Sequence, residues 1–159
     1  MVSKPANLIN LVGRLLERYT ATREEIQGHL DNAQDNLADA SLKGATRLGV
    51  FNGTYNAAHS LALAAYKILG YRPVGGGHRQ SVFNSLEHAV PATEADRELF
   101  IDAHKLRNNT EYEGIGRNAL QESFVEELRA ATKNLDEEVR IMFRDWLKSQ
   151  SGAKSSGKQ

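Results

Sequence analysis

The chain has 159 residues, no cysteine and a formal net charge of zero at pH 7, with 20 lysines and arginines balanced by 20 aspartates and glutamates. That length suits one domain with its own core, and the absence of cysteine excludes a fold held by disulfides. A cysteine-free chain fits a reducing compartment, and we predict a cytoplasmic protein.

The first twenty residues contain a short apolar run that polar or small residues interrupt at Asn7, Asn10, Gly13 and Arg14. Such a run is too short and too polar for a signal peptide or a membrane-spanning segment. We therefore expect no membrane contact and predict a helical extension over residues 1–20.

Apolar residues then recur at helical spacing along two long segments. "TREE" offers a capping box, with Thr22 as the N-cap and Glu25 three residues later. The stripe that follows consists of Ile26, Leu30, Ala33, Leu37 and Ala40. A second stripe, which ends at a glycine, consists of Leu48, Phe51, Tyr55, Ala58, Ala62, Ala65 and Leu69. Because the stripes match in length and the turn between them is short, we predict that residues 22–43 and 45–70 pack as an antiparallel pair.

Small residues recur every four positions on another face of the second helix, at Ala45, Gly49, Gly53 and Ala57. A glycine inside a helix costs about 1 kcal/mol relative to alanine. We therefore expect another backbone to come close to this face, either from within the fold or from a second chain.

"YRPVGGGHR" interrupts the helical pattern, because Pro73 and three consecutive glycines cannot continue it. We predict a loop here. No strand is predicted before the glycines and no lysine-serine or lysine-threonine pair follows them, so the pattern does not indicate a phosphate-binding P-loop.

The remaining chain predicts a short helix over residues 82–90, a helix that Thr93 opens, and a last helix over residues 118–148. No run alternates with period two for long enough to indicate a strand. We therefore predict an all-α fold, an antiparallel bundle of five to six helices, with one helical domain over residues 21–150. A disordered tail is predicted over residues 151–159.

The window between Asp39 and Glu87 contains no acidic residue. Such a local excess of positive charge can attract phosphate even in a neutral chain. The candidate nucleic-acid contacts within it are Arg47, Lys67, Arg72, His78 and Arg79. The alternative is that acidic residues of a neighbouring helix compensate these charges in the fold.

The helical pattern over residues 94–113 has an unusual polar face. Apolar Leu99, Ala103 and Leu106 group on one side. The opposite side, within an arc of about 140° at roughly 100° per residue, carries His104, Arg107, Asn108, Glu111 and Tyr112. A solvated face is more often built from lysine and glutamate, so this face is a candidate site. Tyr55, His59 and Tyr66 of the long helix could face it, although aromatic residues at such spacing are more often core.

"RNNTEY" and "GTYNAAHSLALAAYKILGYRPVGGGH" together resemble the HEPN domain family, over roughly residues 22–148. Members typically carry an arginine, a polar residue directly after it and a histidine further along one helix. Arg107 matches the arginine and Asn108 the polar neighbour. The resemblance implies an α-helical fold, metal-independent ribonuclease activity in active members, often toxins or defence proteins, and a site completed across a homodimer.

Tyr112 stands where the family has its histidine, five residues after the arginine. A tyrosine with an unperturbed pKa of about 10 is a poor proton acceptor at neutral pH. His104 and Glu111 are possible substitutes. His104 is the better one, because a carboxylate paired with an arginine stays ionised and accepts protons weakly. The alternative for His104 is a partly buried histidine that a neighbouring helix satisfies.

These observations predict a HEPN-like protein that binds RNA or a nucleotide. Whether it is a metal-independent ribonuclease, with Arg107, Asn108, Tyr112 and His104 as candidate catalytic residues, stays open. The alternatives are a non-catalytic partner of a nucleotidyltransferase-like antitoxin and a helical dimeric scaffold. We expect no cofactor and no metal, because no two of the five histidines are three or four residues apart.

Overall fold

The structure is a computed structural model that describes residues 4–75, 78–112, 114 and 119–155. Of residues 78, 112, 154 and 155 it describes the backbone alone. A 3-10 helix precedes two short strands and six α-helices. In chain order the elements are the 3-10 helix Pro5–Leu11, β1 Leu16–Arg18, α1 Arg23–Ala40, α2 Arg47–Ile68, β2 Tyr71–Pro73, α3 His78–Asn84, α4 Leu86–Ala89, α5 Glu94–Tyr112 and α6 Glu122–Ser155.

Helix α2 lies at the centre of the fold and packs against α1, α5 and α6. Half of its residues are buried, including the large side chains Phe51, Tyr55 and Tyr66. The predicted antiparallel pair of α1 and α2 is confirmed. Gly53 approaches α1 near the connecting turn, and Lys67 contacts Glu25 at the opposite end of the pair.

The helical class is confirmed, and seven helices are present in the described residues where the sequence predicts five or six. One difference lies in residues 82–90, which form parts of α3 and α4 rather than one helix. Ser85 interrupts them, and its hydroxyl contacts the buried Tyr66 hydroxyl at 2.6 Å. At the end of the chain, α6 continues through residues 151–155. None of the described helices is long and apolar enough to span a membrane.

The structure contains a small two-stranded sheet that the sequence pattern does not indicate. Strands β1 and β2 pair antiparallel, with Leu16 opposite Pro73 and Arg18 opposite Tyr71. Each strand has three residues, which is too short for an alternating pattern to be recognised. The sheet joins the N-terminal segment to the residues that follow α2.

Gly53 is a point of close approach between α1 and α2. A Cβ atom at this position would lie 2.9 Å from the Asn36 carbonyl oxygen and 3.1 Å from the Ala40 Cβ. The small-residue face predicts that another backbone comes close. At Gly53 that backbone belongs to α1 of the same chain. The predicted homodimer stays a prediction, which light scattering can test against the monomer mass of 17.6 kDa.

Replacing Gly53 by alanine is expected to destabilise the protein, because overpacking costs about 1–3 kcal/mol and outweighs the roughly 1 kcal/mol gained in helix propensity. Gly28 is the matched control, since it lies inside α1 and a Cβ there meets nothing within 4 Å. Gly28→Ala should raise the free energy of unfolding in urea. Equal stabilisation by both substitutions would show that the helices have room to separate.

Glu25 links the capping box of α1 to Tyr19, which directly follows β1, and to Lys67 of α2. Its carboxylate accepts hydrogen bonds from the Tyr19 hydroxyl at 2.5 Å and the Thr22 backbone N–H at 2.8 Å, and it pairs with Lys67 at 3.6 Å. The pKa of Glu25 is lowered to about 2, mainly by the Tyr19 hydroxyl and then by the Thr22 N–H. Burial raises this pKa, and the charge of Lys67 lowers it further.

Because this pKa lies below the ordinary value of 4.5, the stabilisation from Glu25 is complete above about pH 4.5 and is lost as the pH falls towards 2. We expect Glu25→Gln to lower stability at pH 7 and to flatten the acid side of the stability profile, measured by urea unfolding from pH 7 to pH 2. Glu24→Gln, at a position outside these hydrogen bonds, is the control and should leave the profile unchanged. An unchanged profile for Glu25→Gln would contradict this role.

Candidate functional site

Helix α5 places part of its polar face beside α2, because the neighbouring side of the helix packs in the core. Phe100 and Ala103 are buried, and the Phe100 ring stacks on Phe83 at 5.6 Å between centroids. This packing sets the rotation of α5. His104, one residue after Ala103, consequently lies next to Tyr55 of α2.

Tyr55 joins the two helices through its hydroxyl group, which lies 2.9 Å from Nδ1 of His104. The other ring nitrogen, Nε2, lies 3.2 Å from the Asn108 amide nitrogen. Because an amide nitrogen only donates, Nε2 accepts this hydrogen bond. In a neutral imidazole the proton then lies on Nδ1 and is donated to the Tyr55 oxygen. Asn108 therefore orients His104.

His104 is held in its neutral form. Burial contributes most to lowering its pKa below the ordinary value of 6.5, and the positive charges of Arg79 and Arg107 lower it further. A neutral imidazole at pH 7 can accept a proton. Tyr55 is also neutral, because burial raises its pKa more than the nearby arginines lower it.

Arg107 is neither a free surface charge nor a buried one. Its guanidinium carbon lies 5.2 Å from the centroid of the Tyr55 ring, and 21% of its side chain is exposed. Its Nη1 lies 3.2 Å from a carboxylate oxygen of Glu111, one turn later on α5. This side chain thus lies partly exposed at the edge of the site.

Arg79 of α3 is the second arginine at this ring, with its guanidinium carbon 6.0 Å from the Tyr55 centroid. Its Nη1 is buried without a hydrogen-bond partner in the part of the chain that the structure describes. No carboxylate among those residues pairs with it. We call Tyr55, Arg79, His104, Arg107 and Asn108 the Tyr55 cluster. Glu111 is its only carboxylate partner within the described residues, so the cluster has a net positive charge.

A cavity of about 300 Å³ opens beside Arg107, between α2 and α5. Its lining residues are Leu48, Asn52, Asn56, Arg107, Thr110 and Glu111. Asn52 and Asn56 are absent from the sequence-based site. The signal that could have found them is the spacing of two amides one turn apart in a mostly apolar helix.

Three of the candidate nucleic-acid contacts lie outside the Tyr55 cluster and pair with acidic residues of other segments. Arg47 lies 3.9 Å from Glu122, Lys67 lies 3.6 Å from Glu25, and Arg72 pairs with Glu17. At these three positions acidic residues therefore compensate the positive charge, which is the alternative that the sequence left open.

Arg79 alone of the candidate basic residues is seen to join Arg107 and His104. The side chains of His78 and Tyr112, both candidate site residues, lie outside the described part of the chain. The structure therefore brings together Arg79, His104, Arg107 and Asn108 from the sequence-based set. Tyr55, one of the aromatic residues that could face them, contacts Arg79, His104 and Arg107.

Comparison of the chain with models of protein families, with curated proteins and with solved structures found no significant match. What can be inferred about function therefore rests on the residues and geometry of the site.

Proposed function

We propose that the Tyr55 cluster binds a phosphate group of RNA or of a nucleotide, and that the chain is a HEPN-like RNA- or nucleotide-binding protein. The observation that carries this proposal is Arg79. Its guanidinium lies at the same aromatic ring as Arg107, has a buried N–H without an acceptor and has no carboxylate partner among the described residues.

Two guanidinium groups near one ring and one histidine repel each other, which costs free energy unless an anion lies near both. A phosphate group fits this requirement. Its oxygens accept charge-assisted hydrogen bonds from arginine, often in pairs. A phosphate would supply an acceptor for the unpaired N–H of Arg79 and would compete with Glu111 for Arg107.

The neutral state of His104 favours metal-independent RNA cleavage as a second candidate function. In that reaction the ribose 2′-oxygen attacks phosphorus, the bond from phosphorus to the 5′-oxygen breaks, and a 2′,3′-cyclic phosphate forms. Nε2 of His104 takes the proton of the 2′-hydroxyl as the Asn108 amide turns away, and the leaving 5′-oxygen takes a proton from water. The arginines stabilise the charge that develops on the phosphate.

Fluorescence anisotropy with a labelled single-stranded RNA tests binding. The expected result is binding at low salt that weakens as salt rises, because counterions compete for the phosphate site. A well-folded protein that binds neither this RNA nor nucleotides at low salt would contradict the proposal.

Cleavage is tested separately by incubating the protein with mixed RNA in EDTA. Products that end in 2′,3′-cyclic phosphate and disappear in His104→Ala would support the second candidate. Binding without such products would leave the binding function standing and exclude His104 as an effective base.

A further inference from the structure

The cavity beside Arg107 has a chemistry different from that of the Tyr55 cluster. The cluster offers cations. The cavity is lined by the Arg107–Glu111 ion pair and adds two amides, one hydroxyl and an apolar wall, from Asn52, Asn56, Thr110 and Leu48. A second phosphate would gain little from these groups. They suit a neutral polar ligand with hydrogen-bonding groups on its edge.

The two side-chain amides of the cavity have no hydrogen-bond partner among the described residues. Asn52 and Asn56 lie one turn apart on α2, both partly buried, and neither forms a side-chain hydrogen bond with another residue in the described part of the chain. Two asparagine amides elsewhere in the described residues do have protein partners: Asn36 donates to the Asn32 carbonyl oxygen, and Asn108 donates to His104. Partly buried polar groups without protein partners are satisfied by water or by a ligand.

We infer that this cavity is a nucleobase subsite, which holds the base of the nucleotide whose phosphate binds at the Tyr55 cluster. An asparagine amide presents a donor and an acceptor in one plane, which matches the adjacent donor and acceptor of a base edge. Leu48 supplies an apolar surface for the flat face of the base. A volume of about 300 Å³ lies at the lower end of ligand pockets, which suits one base rather than a longer segment.

The position of Arg107 connects the two parts of this site. It contacts Tyr55 and also lines the cavity, so a phosphate at its guanidinium group would have its base within reach of Asn52 and Asn56. The Thr110 hydroxyl donates to the Arg107 carbonyl oxygen at 3.0 Å, which leaves its own oxygen free to accept a hydrogen bond from a base amino group.

This inference rests on the proposed phosphate site, and the test separates the two. Isothermal titration calorimetry on the full chain compares adenosine monophosphate and uridine monophosphate with ribose 5-phosphate, which has the phosphate and sugar but no base. We expect at least one nucleotide to bind about tenfold or more tightly than ribose 5-phosphate, because the base adds hydrogen bonds and apolar contact.

The variants Asn52→Ala and Asn56→Ala should remove that difference and leave the Kd of ribose 5-phosphate unchanged. Asn109→Ala is the control, since Asn109 is exposed on α5 and does not line the cavity. Equal affinity of the wild type for ribose 5-phosphate and both nucleotides would overturn the base subsite and leave the phosphate site intact. This comparison of ligands uses the wild-type protein alone, so it does not depend on whether a variant folds. If none of the three ligands binds, the phosphate site and the subsite fail together.

Discussion

Replacing Arg107 by alanine is expected to weaken RNA binding by roughly 10- to 150-fold. A charge-assisted hydrogen bond to phosphate contributes about 1.5–3 kcal/mol, and about 1.4 kcal/mol corresponds to a tenfold change in affinity. Folding stability should change little, because the contacts that Arg107 loses are an exposed ion pair with Glu111 and the face of the Tyr55 ring. Such contacts are each worth about 1 kcal/mol or less.

Arg144→Ala is the matched control for this experiment. Arg144 pairs with the adjacent Asp145 and has 62% of its side chain exposed, so its removal changes the net charge equally but leaves the Tyr55 cluster intact. Anisotropy measures the affinity, and thermal unfolding measures the stability. If Arg107→Ala lowers the Tm and leaves RNA binding unchanged, Arg107 has a structural role.

Replacing Tyr112 by histidine is expected to produce the second large effect, a gain in metal-independent RNA cleavage. Histidine at this position restores the pattern of the family that the sequence resembles, and general acid-base help typically changes rates by about 10²- to 10⁴-fold. The measurement is the rate at which 2′,3′-cyclic phosphate ends form in EDTA.

The Arg107→Ala background provides the control for that gain. If the new activity arises at the proposed site, it should disappear when Arg107 is also replaced. Cleavage that persists in the double variant would come from another site or a contaminating nuclease. A well-folded Tyr112→His variant that binds RNA and cleaves none would show that a histidine here is not placed to transfer a proton.

The helices could be predicted because burial on one side of a helix leaves a period of 3.6 residues in the sequence. The stripe from Ile26 to Ala40 and the capping box at Thr22 both indicate α1 from local patterns alone. The small sheet could not be predicted in this way. Its strands are three residues long, and their pairing joins segments about fifty residues apart.

The candidate site could be predicted where its residues share one helix. His104, Arg107 and Asn108 lie on one face of α5, so their proximity follows from spacing. The approach of Arg79 could not be derived, because it depends on how the chain after the glycine-rich segment packs α3 against α5. The same limit applies to Lys67 and Arg72, whose acidic partners come from distant segments.

The most direct test of the phosphate site is the titration of His104, followed by NMR through its imidazole ring signals with and without a 2′-O-methyl RNA oligonucleotide that cannot be cleaved. In the free protein its pKa should lie below 6.5. Bound phosphate should raise that pKa, because its negative charge offsets Arg79 and Arg107 and stabilises the imidazolium form. An oligonucleotide that binds without changing the His104 pKa or ring signals would place the RNA elsewhere and contradict the proposed site.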